Sequence, residues 1–244
     1  MQPMIPDSDY SSRPLPLKAV GLDVAFLRKV YLLVTASVGV SAAFAAFALF
    51  AGTGAPGVEV PPLVAWFAAH PIIAILMMFG ATFGASAVAR KPGLNVLALF
   101  LLAGLMGLFI APAVYVTQLM ASQGQTLSPS PVLHAFALAV AAFVGLSGYA
   151  LVSRRDFSFL HGFVSMGLFV VIGASLLNLF FGGAMLSLGI ASAAVLLFGA
   201  FILYDTSRML RSGENEPVPA ALGLYLNFLN LFLALLRIFG ARRD

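Results

Sequence analysis

Seven apolar runs, each close to the ~20 residues that a helix needs to cross a bilayer core, fill this sequence from end to end. They cover approximately Val30–Phe50, Pro71–Val88, Leu94–Val116, Val132–Val152, Phe159–Phe181, Met185–Tyr204 and Ala220–Phe239. Hydrocarbon offers backbone N–H and C=O groups no partner, so a spanning segment folds as a helix or joins a closed barrel. Barrel strands show about 10 residues of alternating polarity, and no such segment occurs. With 61% hydrophobic and 9% charged residues, the chain is far from the roughly 25% charged content of a soluble domain. The expectation is an all-α integral membrane protein, a seven-transmembrane-helix bundle. Residues 1–25 read as a cytoplasmic tail and residues 26–244 as a single transmembrane domain. The apolar stretch Leu63–His70 precedes a proline and reads as an interfacial lead-in to the second span. The first span is longer than the 7–15 apolar residues of a signal-peptide core, so cleavage after Ala42–Ala51 is not expected.

Charge sets the orientation. Arg13, Lys18, Arg28 and Lys29 precede the first span; Arg90 and Lys91 follow the second, Arg154 and Arg155 the fourth, Arg208 and Arg211 the sixth. The loops 51–63, 121–131 and 182–184 hold no Lys or Arg. The side that carries the basic residues is expected to be cytoplasmic, which places the N-terminus inside. Arg237, Arg242 and Arg243 then fall on the far side if the last segment crosses fully, and inside if it is re-entrant. The length of the run favours a full crossing. The net charge of +4 and pI of about 9.7 arise from these pairs at span ends, so they indicate a lipid bilayer, not nucleic acid.

Most catalytic classes find no residues here. The absence of cysteine excludes disulfides, thiolate metal sites and a cysteine nucleophile. His70, His134 and His161 lie in different segments, and no cofactor or metal string such as HExxH, GxGxxG or a Walker sequence is present. An intramembrane aspartyl protease needs two carboxylates where only one is available. One echo remains: Gly145-Leu146-Ser147-Gly148 has the GxSG form of rhomboid-type serine proteases, and His161 opens the next span. Its alternative is Ser147 as a small packing residue.

Small residues let helices approach in lipid. Gly80 and Gly84 form a GxxxG in the second span, and Ala103 with Gly107, Gly145 with Gly148, and Gly189 with Ala193 offer similar faces. These serve bundle packing or, for Gly80 and Gly84, dimerisation. Pro112 is a candidate kink in the third span. In the last segment Gly223, Asn227, Asn230, Ala234 and Arg237 recur at steps of four, three, four and three, one stripe of a helix. Such a stripe faces other helices, as glue between them or as the wall of a polar cavity.

Asp205 is the one acidic side chain that hydropathy places against hydrocarbon. An isolated charge costs roughly 2.5–3.5 kcal/mol at a helix centre on insertion scales, so a partner is required. Read at the C-terminus of its helix, it also opposes the macrodipole. Arg208, at i+3, can compensate it. Asn227 can do so if the last two helices, joined by the loop Ser207–Pro219, are antiparallel neighbours. Two readings follow: a helix-end carboxylate satisfied by Arg208, or a gate or latch closing a cytoplasmic vestibule.

The strings Leu203-Tyr204-Asp205-Thr206-Ser207, Ala220-Ala221-Leu222-Gly223-Leu224-Tyr225-Leu226-Asn227-Phe228-Leu229-Asn230-Leu231-Phe232 and Leu235-Leu236-Arg237-Ile238-Phe239-Gly240 closely resemble the Bax inhibitor family. Ser153–Leu160 resembles the fourth loop of that family, and the tail Arg242-Arg243-Asp244 its bacterial YccA type. The resemblance implies a bundle with the C-terminal helix central, wrapped by the other six. Gly223, in the stripe of the last segment, is a candidate helix-packing residue with Gly80 and Gly84. The resemblance also implies one of two non-enzymatic activities: modulation of the membrane AAA protease FtsH, or a pH-sensitive calcium or cation leak gated by two aspartates. The first aspartate corresponds to Asp205, but the second corresponds to Asn227. Two adjacent carboxylates must share a proton because they cannot both ionise cheaply; an Asp–Asn pair lacks that coupling. Asp205, Asn227, Arg208 and Asn230 are accordingly the candidate gate. The protease reading is preferred, with residues 1–18 as a handle for the partner.

Overall fold

The computed structural model describes residues 24–51, 60–153, 155–211 and 216–242; the tail proposed as a handle, Arg154 and Arg243 lie outside them. Among the described residues eight helices follow in order: α1 (Val24–Phe50), α2 (Pro62–Ala69), α3 (Pro71–Val88), α4 (Asn95–Ser122), α5 (Pro131–Ser153), α6 (Leu160–Phe181), α7 (Ala184–Arg211) and α8 (Pro217–Phe239). All but the eight-residue α2 are long and apolar enough to cross a membrane. The expected seven-span bundle is therefore the observed one, and the lead-in Leu63–His70 is α2. Pro71 gives α3 its start, since a proline is tolerated in the first turn, where no intrahelical N–H is needed.

Helix α8 is the axis of the bundle. It packs on α1, α4, α5 and α7, while α3 lies outside against α4 and α6 outside against α7. Its immediate jacket is thus four helices, not six. Thirteen of its residues are buried, Leu224, Tyr225, Phe228, Leu231, Leu235 and Leu236 among them. At the other extreme α6 buries Val164 alone among its residues, and Phe163, Phe169, Phe180 and Phe181 are exposed, as lipid-facing side chains should be.

Packing runs through close backbone contact where small residues permit it. On α4, a Cβ at Gly107 would stand 2.3 Å from the Ser41 carbonyl oxygen of α1, so Gly107 is what lets α1 and α4 meet. Gly80 and Gly84 behave differently: a Cβ at either would meet nothing within 4 Å. The packing expected of this GxxxG is not made among the described residues, because that face of α3 turns away from α4. Gly145, Gly148 and Gly189 are equally open. Helix α4 continues unbroken through Pro112.

Helix α8 also crosses fully. Its 23 residues extend about 35 Å at 1.5 Å each, and its end is pinned to the α4–α5 loop: Leu127 N–H donates to the Ala241 carbonyl (3.0 Å) and Ser128 N–H to that of Phe239 (3.2 Å). That loop is at the opposite end of the bundle from Arg90 and Arg208. The re-entrant alternative for this segment is thereby overturned.

Candidate functional site at the α7–α8 contact

The sequence Thr206-Ser207-Arg208-Met209-Leu210-Arg211 contains no helix breaker, and α7 runs seven residues past Tyr204 to Arg211. Hydropathy marks where a helix leaves hydrocarbon, not where it ends. Asp205 therefore sits well before the C-terminal turn, outside the region where the macrodipole acts strongly, and the connection to α8 is short, residues 212–216. Pro217, in the first turn of α8, opens that helix three residues before the expected Ala220.

Across this junction Asn227 Nδ2 donates to Asp205 Oδ2 at 2.6 Å. Asn227 is buried at 8% exposure, and Gly223, one turn earlier, leaves the carboxylate room: its Cβ would lie 3.4 Å from Asp205 Oδ2. The carboxyl group and the amide thus form a hydrogen bond that ties α7 to α8. Beside it lies a pocket of about 180 Å³ lined by Arg90, Asp205, Arg208, Pro219 and Gly223. Arg208 shares the pocket but forms no ion pair with Asp205 among the described residues; its side chain extends outward and is exposed. The reading of Asp205 as a carboxylate satisfied by Arg208 gives way to Asn227 as its hydrogen-bond donor. Asn230 is not part of the cluster: its Nδ2 donates to the Leu226 carbonyl of its own helix at 2.8 Å.

Three groups of polar contacts escaped the sequence reading. Ser207, adjacent in α7, is buried and accepts from the Phe157 N–H at 3.2 Å while its hydroxyl donates to the Arg155 carbonyl at 3.2 Å. The α5–α6 loop is thereby fastened to the same end of α7. Asp156 in that loop accepts from the Ser158 hydroxyl and N–H and pairs with Arg211 at 3.4 Å. The Ser158 hydroxyl, then its N–H, and more weakly Arg211, hold the Asp156 carboxyl below its ordinary range. Deeper in the bundle the Tyr225 hydroxyl meets Ser41 Oγ at 2.7 Å, and Ser41 Oγ lies 2.9 Å from the Ala103 carbonyl, joining α8, α1 and α4. A serine in an Ala-rich run carries no signal of such a partner. Pairing it with a tyrosine 184 positions away needs the fold.

The remaining candidates are not brought together. Ser147 is buried, and its Oγ has no hydrogen-bond partner among the described residues. His161 instead lies against Tyr204, ring centroids 5.5 Å apart and planes tilted by 34°. The serine–imidazole bond of a rhomboid-type centre is not formed, which leaves Ser147 as a packing residue. His70 bonds the Trp66 carbonyl and His134 meets Ser128. No group of three metal-ligating side chains occurs among the described residues.

Fold and site together define a polytopic helical membrane protein whose central C-terminal helix is bonded to its neighbour through a carboxylate–amide pair. The sequence profile described as "Inhibitor of apoptosis-promoting Bax1" matches residues 24–244, and the chain belongs to the Bax inhibitor family. Relatives include a membrane protein of Vibrio cholerae, 36% identical over 173 residues (70% of this chain, 75% of that one). The modulator of FtsH protease YccA of Escherichia coli K12 is 32% identical over 174 residues (71% and 76%). Protein lifeguard 4 of the mouse is 43% identical over 111 residues (45% and 47%).

Proposed function

We propose that this protein is a non-enzymatic modulator of a membrane-anchored AAA protease of the FtsH type, set in a bacterial inner membrane with its N-terminus cytoplasmic. The observation that carries the reading is the 32% identity to a named FtsH modulator along 76% of that relative's length. Geometry supports it by what the α7–α8 site offers. Asp205 is bonded to an amide, and the pocket beside it is lined by two arginines. This is a structural tie at the end of the bundle where the basic residues gather, the side on which a cytoplasmic AAA module would meet it. Cross-linking in native membranes followed by co-purification tests the proposal: FtsH is recovered with the tagged full-length chain. Its absence under conditions that recover other FtsH partners contradicts it.

The second reading, a pH-sensitive calcium or cation leak gated at Asp205, draws on the same hydrogen bond between α7 and α8. Charge weighs against it. Ca²⁺ takes 6–8 oxygen ligands, several of them usually anionic, whereas this pocket presents one carboxylate beside Arg90 and Arg208. Dye-loaded liposomes decide: Ca²⁺ entry above that of protein-free vesicles, altered by Asp205→Asn, would establish the leak. Equal entry would exclude it.

A further inference from the structure

Three arginines near the C-terminus, Arg237, Arg242 and Arg243, break the charge pattern of the chain, since the loops at that end otherwise contain no Lys or Arg. The structure gives two of them a setting. Helices α4 and α7 both pack on α8 but not appreciably on one another. Between them lies a groove of about 560 Å³, floored by Leu233 and Leu236 of α8 and walled by Phe109 and Ala113 of α4 and Met185 and Leu188 of α7. Arg237 and Arg242 line the same groove. Both are exposed, and neither has a hydrogen bond or ion pair through its side chain among the described residues. Arg242 is held in place by its backbone: it pairs with Thr126 in an isolated antiparallel bridge, beside the bond from Leu127 to Ala241. Gly240 makes the turn possible, because a Cβ there would fall 2.7 Å from the Thr117 side chain of α4.

We propose that this groove is a binding site for one anionic phospholipid, its phosphate at Arg237 and Arg242 and an acyl chain along the α8 floor between α4 and α7. The apolar walls cannot select a lipid by themselves, because acyl chains are as apolar outside the groove as within it. Selection therefore comes from the headgroup. Planar guanidinium groups match phosphate oxygens two at a time, and basic pockets between membrane helices bind anionic headgroups. A soluble anion would use the arginines alone. The apolar channel that continues from them is what specifies a lipid. The bound phosphate also offsets positive charge at the end of the bundle whose loops otherwise contain no Lys or Arg. The inference is independent of the protease reading.

The test uses the full-length protein in mixed micelles of phosphatidylglycerol and phosphatidylethanolamine with identical acyl chains, with retained lipid counted by native mass spectrometry. Each basic residue near an anionic headgroup contributes roughly a fivefold preference, so the pair predicts about 25-fold enrichment of phosphatidylglycerol. Arg237→Gln with Arg242→Gln reduces retention to the phosphatidylethanolamine level, and each single variant falls between. Ala113→Trp fills the groove and keeps both arginines; it also loses phosphatidylglycerol. Equal retention of the two lipids by the wild type overturns the proposal, as does a double variant that keeps its preference. Glycerol 3-phosphate competing as well as phosphatidylglycerol would show a free-anion site and overturn the lipid assignment. A second copy of the chain cross-linked through Met185 would do the same in favour of a dimer.

Discussion

The Asp205 carboxylate has a partner that is a neutral amide, 2.6 Å away and itself buried. Removing the donor and leaving a sequestered acceptor unpaired costs about 1–3 kcal/mol. Asn227→Ala is therefore expected to lower the unfolding midpoint in detergent, with Asn227→Gln recovering part of the loss. Asn227→Asp poses a different problem, because it sets a second carboxylate against the first. Both cannot ionise cheaply, so the variant should lose stability as pH rises from about 5 to about 8, more steeply than the wild type. A pH series of melting curves reads this directly. In the exposed α5–α6 loop the sign is opposite. Asp156 is held below the ordinary carboxylate range by Ser158, first through the hydroxyl and then the N–H. Its contribution to the loop is present above the ordinary range and lost as pH falls through the lowered value. Ser158→Ala should move the Asp156 titration upward by NMR; an unchanged titration would show that the hydroxyl has no part in it.

Among elements, α1 and α4 depend on one glycine. Gly107→Ala puts a methyl 2.3 Å from the Ser41 carbonyl, so the helices must separate; overpacking of this kind costs about 1–3 kcal/mol. The Ser41 contacts to Ala103 and Tyr225 should weaken with it. Gly84→Ala, on an open face, should leave the melting temperature unchanged or raise it, and a fall equal to that of Gly107→Ala would refute the assignment of faces. Both glycines occupy small-residue motifs, and sequence alone ranks Gly80 and Gly84 higher. The motif tells that a close approach is available; only the arrangement of neighbours tells which face is used. The span count was legible for a firmer reason, since each apolar run must satisfy its own backbone in lipid. The end of α7 was not, because Asp205 to Arg211 leave the hydrophobic pattern while keeping helical propensity.

Over the whole molecule, the polar stripe of α8 could be read as facing other helices, but its residues part company in the structure. Gly223 and Asn227 serve Asp205, Asn230 bonds its own helix, and Arg237 faces the groove at the far end. The centrality of α8 came from family resemblance, because periodicity identifies a buried face and not its place in a bundle. A central helix tied at one end through Asp205 and at the other through the 126–128 loop is braced against sliding, which fits the proposed action on a membrane protease. The degradation rate of a membrane substrate of FtsH, followed by pulse-chase in cells with raised levels of this protein, tests that account most directly. A substrate half-life lengthened several-fold by the wild-type chain is the predicted result. A half-life unchanged at the same protein level would contradict it.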